Sequence, residues 1–152
     1  TQMIGAYLNL ADLLRAQGRD EEARELLLQA LDIAPENGNV LHALGLLETR
    51  SGEAEKALDY LRSAAELETR GMRHRFVFAI ALHDLGEPRQ ALAELNTLHR
   101  AFPRDEQVLL AMANYSAELG DRQRARSYAQ QLLRLSPRNP NYQQLLQSLS
   151  SN

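Results

Sequence analysis

The chain has 152 residues, 44% of them hydrophobic, 24% charged and 5% aromatic, with a formal net charge of −3. That is enough apolar material for one domain with a buried core, and too little basic excess for a surface that tracks phosphates, so nucleic acid is not an expected partner. No apolar run approaches the roughly 18–20 residues of a membrane span, and the lack of cysteine excludes disulfides, Cys-ligated zinc and covalently attached haem within these residues.

The chain opens at Thr1 within a helical pattern, so a piece of a longer protein is expected. Cytoplasm and periplasm both stay open. Tyr7, Leu10, Ala11 and Leu14 recur at i, i+3, i+4 and i+7, which predicts a helix. Gly18 closes it, because a positive φ costs little without a Cβ. Arg19-Asp20-Glu21-Glu22 opens a second helix carrying Ala23, Leu27, Ala30 and Leu31, and Pro35 ends it.

The same punctuation then returns. Glycines stand at Gly18, Gly52, Gly86 and Gly120, and alanines at Ala23, Ala57, Ala91 and Ala125, each series stepping by 34 residues. Prolines mark Pro35, Pro103 and Pro137, with Thr69 where the second unit would have its own. Three series sharing one period define a repeat, with units over residues 4–37, 38–71, 72–105 and 106–139. A hairpin of this size cannot bury its own apolar stripe, so stacked neighbours complete the core. After Pro140 the stripe Tyr142, Leu145, Leu146 and Leu149 faces inward while Gln143, Gln144, Gln147 and Ser148 stay wet, predicting a capping helix over 140–150. The expectation is one all-α domain over 1–152, about nine helices and no strand.

These residues resemble the tetratricopeptide repeat (TPR) family over essentially the whole chain. Its pattern is met by Tyr7, Leu10-Ala11, Leu14, Gly18, Ala23, Ala30 and Pro35. The second unit meets it with Leu41, Leu44-Gly45, Gly52, Ala57 and Ala64, the third with Phe78-Ala79, Leu82, Gly86, Ala91 and Pro103. The fourth follows with Leu109, Met112-Ala113, Gly120, Ala125 and Pro137; Glu48, Thr69, Arg75 and Ser116 depart. The resemblance implies a right-handed superhelical solenoid of antiparallel helix hairpins, whose first helices line a concave groove holding a partner's peptide segment. Carried over by repeat position, the groove residues are Leu8, Asn9 and Asp12, then Asn39, His42 and Leu46. The third unit supplies Arg73, Phe76, Val77 and Ile80, and the fourth Gln107, Leu110 and Asn114.

The family's carboxylate clamp falls here on Leu8, Asp12, Ala43, Arg73 and Val77, of which only Arg73 can serve, so an acidic chaperone tail is disfavoured. Leu46, Phe76, Val77, Ile80 and Leu110 instead suit an apolar or amphipathic segment, with Asn39, Arg73 and Asn114 to bond its polar groups. Phe78, on another side of its helix, is assigned to the core. The competing reading has Phe76 and Ile80 covered by the array itself or by a neighbouring domain.

Charge is uneven: residues 4–71 hold thirteen acids and seven bases, and residues 72–139 seven acids and ten bases. A solvated surface accounts for this, and so would an acidic partner or a second copy docking on Arg122, Arg124, Arg126 and Arg134. His42, His74, His83 and His99 form no His-x-x-x-His pair, and no phosphate loop or nucleophile elbow occurs. No enzyme activity, metal or cofactor is therefore expected. Two alternatives to a binding scaffold remain. One is an accessory segment of a larger bacterial protein, since Arg75–Leu82 is similar to arrays that end such proteins, multihaem cytochromes among them. The other is weak self-association in which another copy displaces the capping helix.

Overall fold

The computed structural model describes residues 2–68 and 71–150, and these form nine α-helices and no strand. In chain order they are α1 (Gln2–Ala16), α2 (Asp20–Ile33), α3 (Gly38–Ser51), α4 (Ala54–Leu67), α5 (Arg73–Asp84), α6 (Pro88–Ala101), α7 (Glu106–Glu118), α8 (Arg122–Leu135) and α9 (Pro140–Ser150). Thr69 lies outside the described residues. The chain divides into two compact units at Ala81 and Leu82. None of the described helices is long and apolar enough to cross a membrane.

Helix ends follow from local chemistry. Gly52 takes φ of +81°, and beyond it the Glu53 N–H donates back to the Glu48 carbonyl at 2.9 Å, closing orphan acceptors of the last turn. The same backward bond recurs from Arg19 to Leu14, Glu87 to Leu82 and Asp121 to Ser116. Nothing lies within 4 Å of a Cβ built at Gly52, so crowding by neighbours is not what requires glycine there; the positive φ is. Gly52→Val should destabilise the fold by about 1–2 kcal/mol through backbone conformation alone, read as a lower urea midpoint, while Gly52→Asn should lose much less.

At the helix starts, the Asn37 side chain accepts from the Asn39 and Val40 N–H groups, and Asp105 and Asp121 cap α7 and α8. Helix α5 is held differently. Glu68, just past α4, accepts from the N–H groups of Arg73, His74 and Arg75 at 3.1, 2.9 and 3.3 Å. One carboxylate thus serves three orphan donors where its charge also favours the helix dipole.

In the first unit Ile4, Ala11 and Leu14 of α1 pack with Ala23, Leu27 and Ala30 of α2 and Val40, Leu44 and Leu47 of α3. Small residues let the helices close: a Cβ on Gly45 would sit 2.5 Å from the Leu61 Cγ of α4. The second unit buries Ala91, Leu95 and Leu98 of α6, Val108, Leu109 and Met112 of α7, and Ala125, Ala129 and Leu132 of α8. Tyr142 and Leu149 of α9 complete it, with Leu145 and Leu146 half-buried and the predicted wet residues exposed. Phe78 is buried, with the Arg62 guanidinium 5.8 Å from its ring centre.

The apolar side chains of α1 differ in exposure. Leu10 is 47% exposed, as are Met3 at 56% and Leu13 at 55%. The helical period was right, but a helix face is buried only if something lies against it. Leu44, at the same repeat position as Leu10, has α1 and α2 to pack on.

Two of the departures from the repeat pattern have physical explanations. Glu48, where a large side chain is usual, is buried and paired with Arg24 of α2, Nε to Oε1 at 2.8 Å. Arg75 fills its slot half-buried and donates to the Ala65 carbonyl at 3.4 Å. Ser116 is buried with its hydroxyl unpartnered.

Candidate functional site

Within the first unit a cleft of about 350 Å³ is lined by Leu8, Asp12 and Arg15 of α1, Asn39, His42, Ala43 and Leu46 of α3, and Arg73 at the start of α5. Helical spacing assembles it: 8, 12 and 15 share one face of α1, and 39, 42, 43 and 46 one face of α3. The Asn37 cap fixes where α3 begins, and the Glu68 carboxylate fixes the first residues of α5, hence the seat of Arg73.

The floor of the cleft is His42, which is 5% exposed rather than the accessible groove contact that the sequence suggested. Its ring lies 4.8 Å from that of His74, tilted by 45°, and both Nδ1 atoms are buried without a hydrogen-bond partner. Burial pushes the His42 pKa down to about 4, and the neighbouring His74 and Arg73 act in the same direction. Burial lowers that of His74 as well. Both rings are therefore neutral at pH 7. Above them Asp12 pairs with Arg15 at 3.4 Å across one helical turn, exposed to solvent. Arg73 is exposed, and its guanidinium has no ion-pair partner among the described residues. Leu8, Ala43 and Leu46 supply half-buried apolar wall.

Such a surface can hold an extended chain by apolar contact while Asn39 and the two guanidiniums bond its polar groups. Among the described residues no group of three or more His, Asp or Glu side chains gathers to hold a metal ion.

Of the thirteen groove positions read from the sequence, this cleft unites six: Leu8, Asp12, Asn39, His42, Leu46 and Arg73. Asn9 is exposed on α1 but does not line it. Phe76, Val77 and Ile80 of α5 are half-buried and stand outside it. Gln107, Leu110 and Asn114 belong to the second unit, where Gln107 and Asn114 are exposed and Leu110 packs against the cluster of Leu109, Leu132 and Tyr142. Arg15, one helical turn from Asp12, was missed as a groove position, whereas Ala43, read from the sequence as a clamp position, also lines the cleft.

The remaining polar cluster lies in the second unit. His83 stacks on Tyr115 with ring centres 3.7 Å apart, its Nε2 is 2.5 Å from Glu118 and its Nδ1 3.2 Å from Asp84. Burial alone would lower its pKa, but hydrogen bonds to the two carboxylates outweigh burial and raise it. This imidazole joins the end of α5 to α7.

Two family models, both described as tetratricopeptide repeat, match residues 2–70 and 76–140. Over 141 residues the chain is 31% identical to cellulose synthase operon protein C of Xanthomonas axonopodis pv. citri (strain 306), covering 83% of this chain and 9% of that protein. The chain spans between 9% and 18% of the length of the curated relatives it matches. Among solved structures, PilF of Pseudomonas aeruginosa superposes with a TM-score of 0.79 at 21% identity, covering 97% of this chain and 68% of that one. YrrB, described as a TPR protein with an unusual peptide-binding site, gives 0.74 at 17% identity, covering 94% and 74%. With the two models together spanning nearly all of its residues, this chain belongs to the tetratricopeptide repeat family.

Proposed function

We propose that residues 1–152 form one TPR interaction scaffold of four hairpins and a cap, and that its first-unit cleft binds an extended peptide segment of a partner protein. The segment this cleft suits has an apolar side chain for Leu8, Ala43 and Leu46 and an acidic or carbonyl-rich flank for Arg15 and Arg73. The observation that carries the reading is the convergence of six carried-over groove positions on a single cleft with an uncommitted guanidinium at its edge. The likeness to YrrB, whose own peptide site is described as unusual, agrees with a peptide ligand.

The test is selection of a random peptide library on the wild-type chain, followed by anisotropy titration of enriched peptides against Leu46→Glu/Arg73→Glu. Affinity should fall about tenfold or more, with the far-UV spectrum unchanged because Arg73 is exposed and Leu46 half-buried. Undiminished binding would move the site off this cleft. Arg73→Glu alone isolates the acidic component, whose loss should shrink as salt is added.

A second reading is favoured by the short share of the relatives that this chain spans. In it the array is an accessory segment presenting a larger protein's partner, and the same cleft would do the presenting.

A further inference from the structure

The second unit lacks a side chain that the repeat supplies elsewhere. Leu14, Glu48 and Leu82 stand at one position of the 34-residue period, and the fourth residue there is Ser116. In the first unit this position is closed from within. Arg24 of α2 donates to Glu48 at 2.8 Å and to Ser51 at 3.0 Å, and Glu21 pairs with the same guanidinium. Two periods on, all four residues differ: Glu21 becomes Arg89, Arg24 becomes Leu92, Glu48 becomes Ser116 and Ser51 becomes Leu119. The buried carboxylate has no counterpart, and an arginine stands where an acid balanced one.

What this substitution leaves is a cleft of about 370 Å³ within the second unit. Arg89, Leu92, Ala93 and Asn96 line it from one face of α6, recurring at i, i+3, i+4 and i+7. Ser116 of α7 is its floor and Leu119 a wall. Ser116 is 1% exposed and its hydroxyl has no hydrogen-bond partner, an unmet polar group at the base of a largely apolar pit. Leu119 is 39% exposed, a large apolar side chain left in water. On the rim Arg124 is engaged with Asp121 at 3.3 Å, whereas Arg89 is exposed and has no ion-pair partner among the described residues.

We propose that this cleft is a second docking site, and that it takes a glutamate of a partner protein flanked by an apolar residue. The glutamate stem fills the space that Ser116 leaves open, and its carboxylate accepts from the Arg89 guanidinium. The neighbouring apolar side chain covers Leu119 and Ala93. The occupant thus restores from outside the carboxylate–arginine pairing that Glu48 and Arg24 supply within the first unit. Charge selects it: Arg89 and Arg124 outweigh Asp121, and a lysine or arginine in the same place would meet Arg89 as a like charge. The site shares no residue with the first-unit cleft and does not rest on the reading given to that cleft.

A displayed library of random peptides tests it, selected on the wild-type chain and counter-selected on Ser116→Leu, which puts back the side chain found at Leu14 and Leu82. A peptide held by the first-unit cleft binds both chains alike and is removed, so the two sites are tested apart. The surviving peptides should carry glutamate beside an apolar residue. In anisotropy titrations they should bind Arg89→Glu about tenfold or more weakly than wild type, a loss that shrinks as salt is added. Changing the peptide's glutamate to glutamine should weaken binding to wild type several-fold. Arg89 is exposed, so the far-UV spectrum of Arg89→Glu should match wild type. The proposal fails if no peptide distinguishes wild type from Ser116→Leu, if those that do carry no acid, or if Arg89→Glu binds them undiminished. Should Ser116→Leu lose helicity, Arg89→Glu takes its place in the counter-selection and Leu119→Ser, which restores the residue at the Ser51 position, takes its place in the titration. Weaker binding to Leu119→Ser then upholds the proposal, and binding equal to wild type overturns it.

Discussion

Glu48→Ala should cost the fold about 3 kcal/mol, at the lower edge of what breaking a buried ion pair costs. The Glu48 side chain is 3% exposed and receives both Arg24 Nε at 2.8 Å and an Arg24 terminal nitrogen at 3.3 Å. Removing it leaves a guanidinium between α2 and α3 with its main partner gone and a void behind. Arg24 keeps Ser51 at 3.0 Å and the exposed Glu21, which is why the loss stays at the lower edge. The pair's net worth against apolar side chains is another matter, because both charges were desolvated to make it. Arg24→Met/Glu48→Leu should thus recover most of what Glu48→Ala loses. Urea unfolding of wild type, Glu48→Ala and Arg24→Met/Glu48→Leu checks it; a double variant as unstable as Glu48→Ala would refute the account.

The second large effect is acid sensitivity from the histidine pair. In the folded chain the His42 pKa is pushed down to about 4, whereas in the unfolded chain it sits near its ordinary 6.5. Between these values the unfolded state binds the additional proton, so stability rises with pH through the window and is fully present above it. The gap corresponds to about 3 kcal/mol lost on acidification from pH 7 to pH 4. His74, lowered in the same direction, adds to it. The groups acting on the pair are Arg73, Glu68 and Arg15. His83 works in the opposite sense: its raised pKa contributes stability at low pH that is lost as pH rises through the folded value. His42→Leu should flatten the slope of urea midpoint against pH between 4 and 6.5. A slope equal to wild type would assign acid lability to the carboxylates instead.

The repeat and its helices were legible because punctuation and stripe spacing are local properties of the chain. Gly18, Gly52, Gly86 and Gly120 all take positive φ, as a fixed 34-residue step ending in glycine implies. What could not be read is whatever depends on who stands opposite. Leu10 carries the same signal as Leu44, yet one is bare and the other buried, since periodicity reports a face and not its neighbour. Arg24 and Glu48 are 24 residues apart, and nothing in either segment announces the other. His42 sits on the groove side of α3 as its spacing implied, but its burial comes from His74 on α5, beyond any local pattern. The cleft shows the same division: residues on α1 and α3 met as repeat position implied, while Phe76, Val77 and Ile80 on α5 fell outside its lining.

The start of α5 is fastened by a carboxylate that belongs to the preceding hairpin, and the first amide it grips is that of Arg73. Recognition at the cleft and firmness of the α4–α5 joint therefore share one anchor. Selection acting on Glu68 could not loosen the joint without also unseating the guanidinium, so this corner of the scaffold should drift as a unit or not at all.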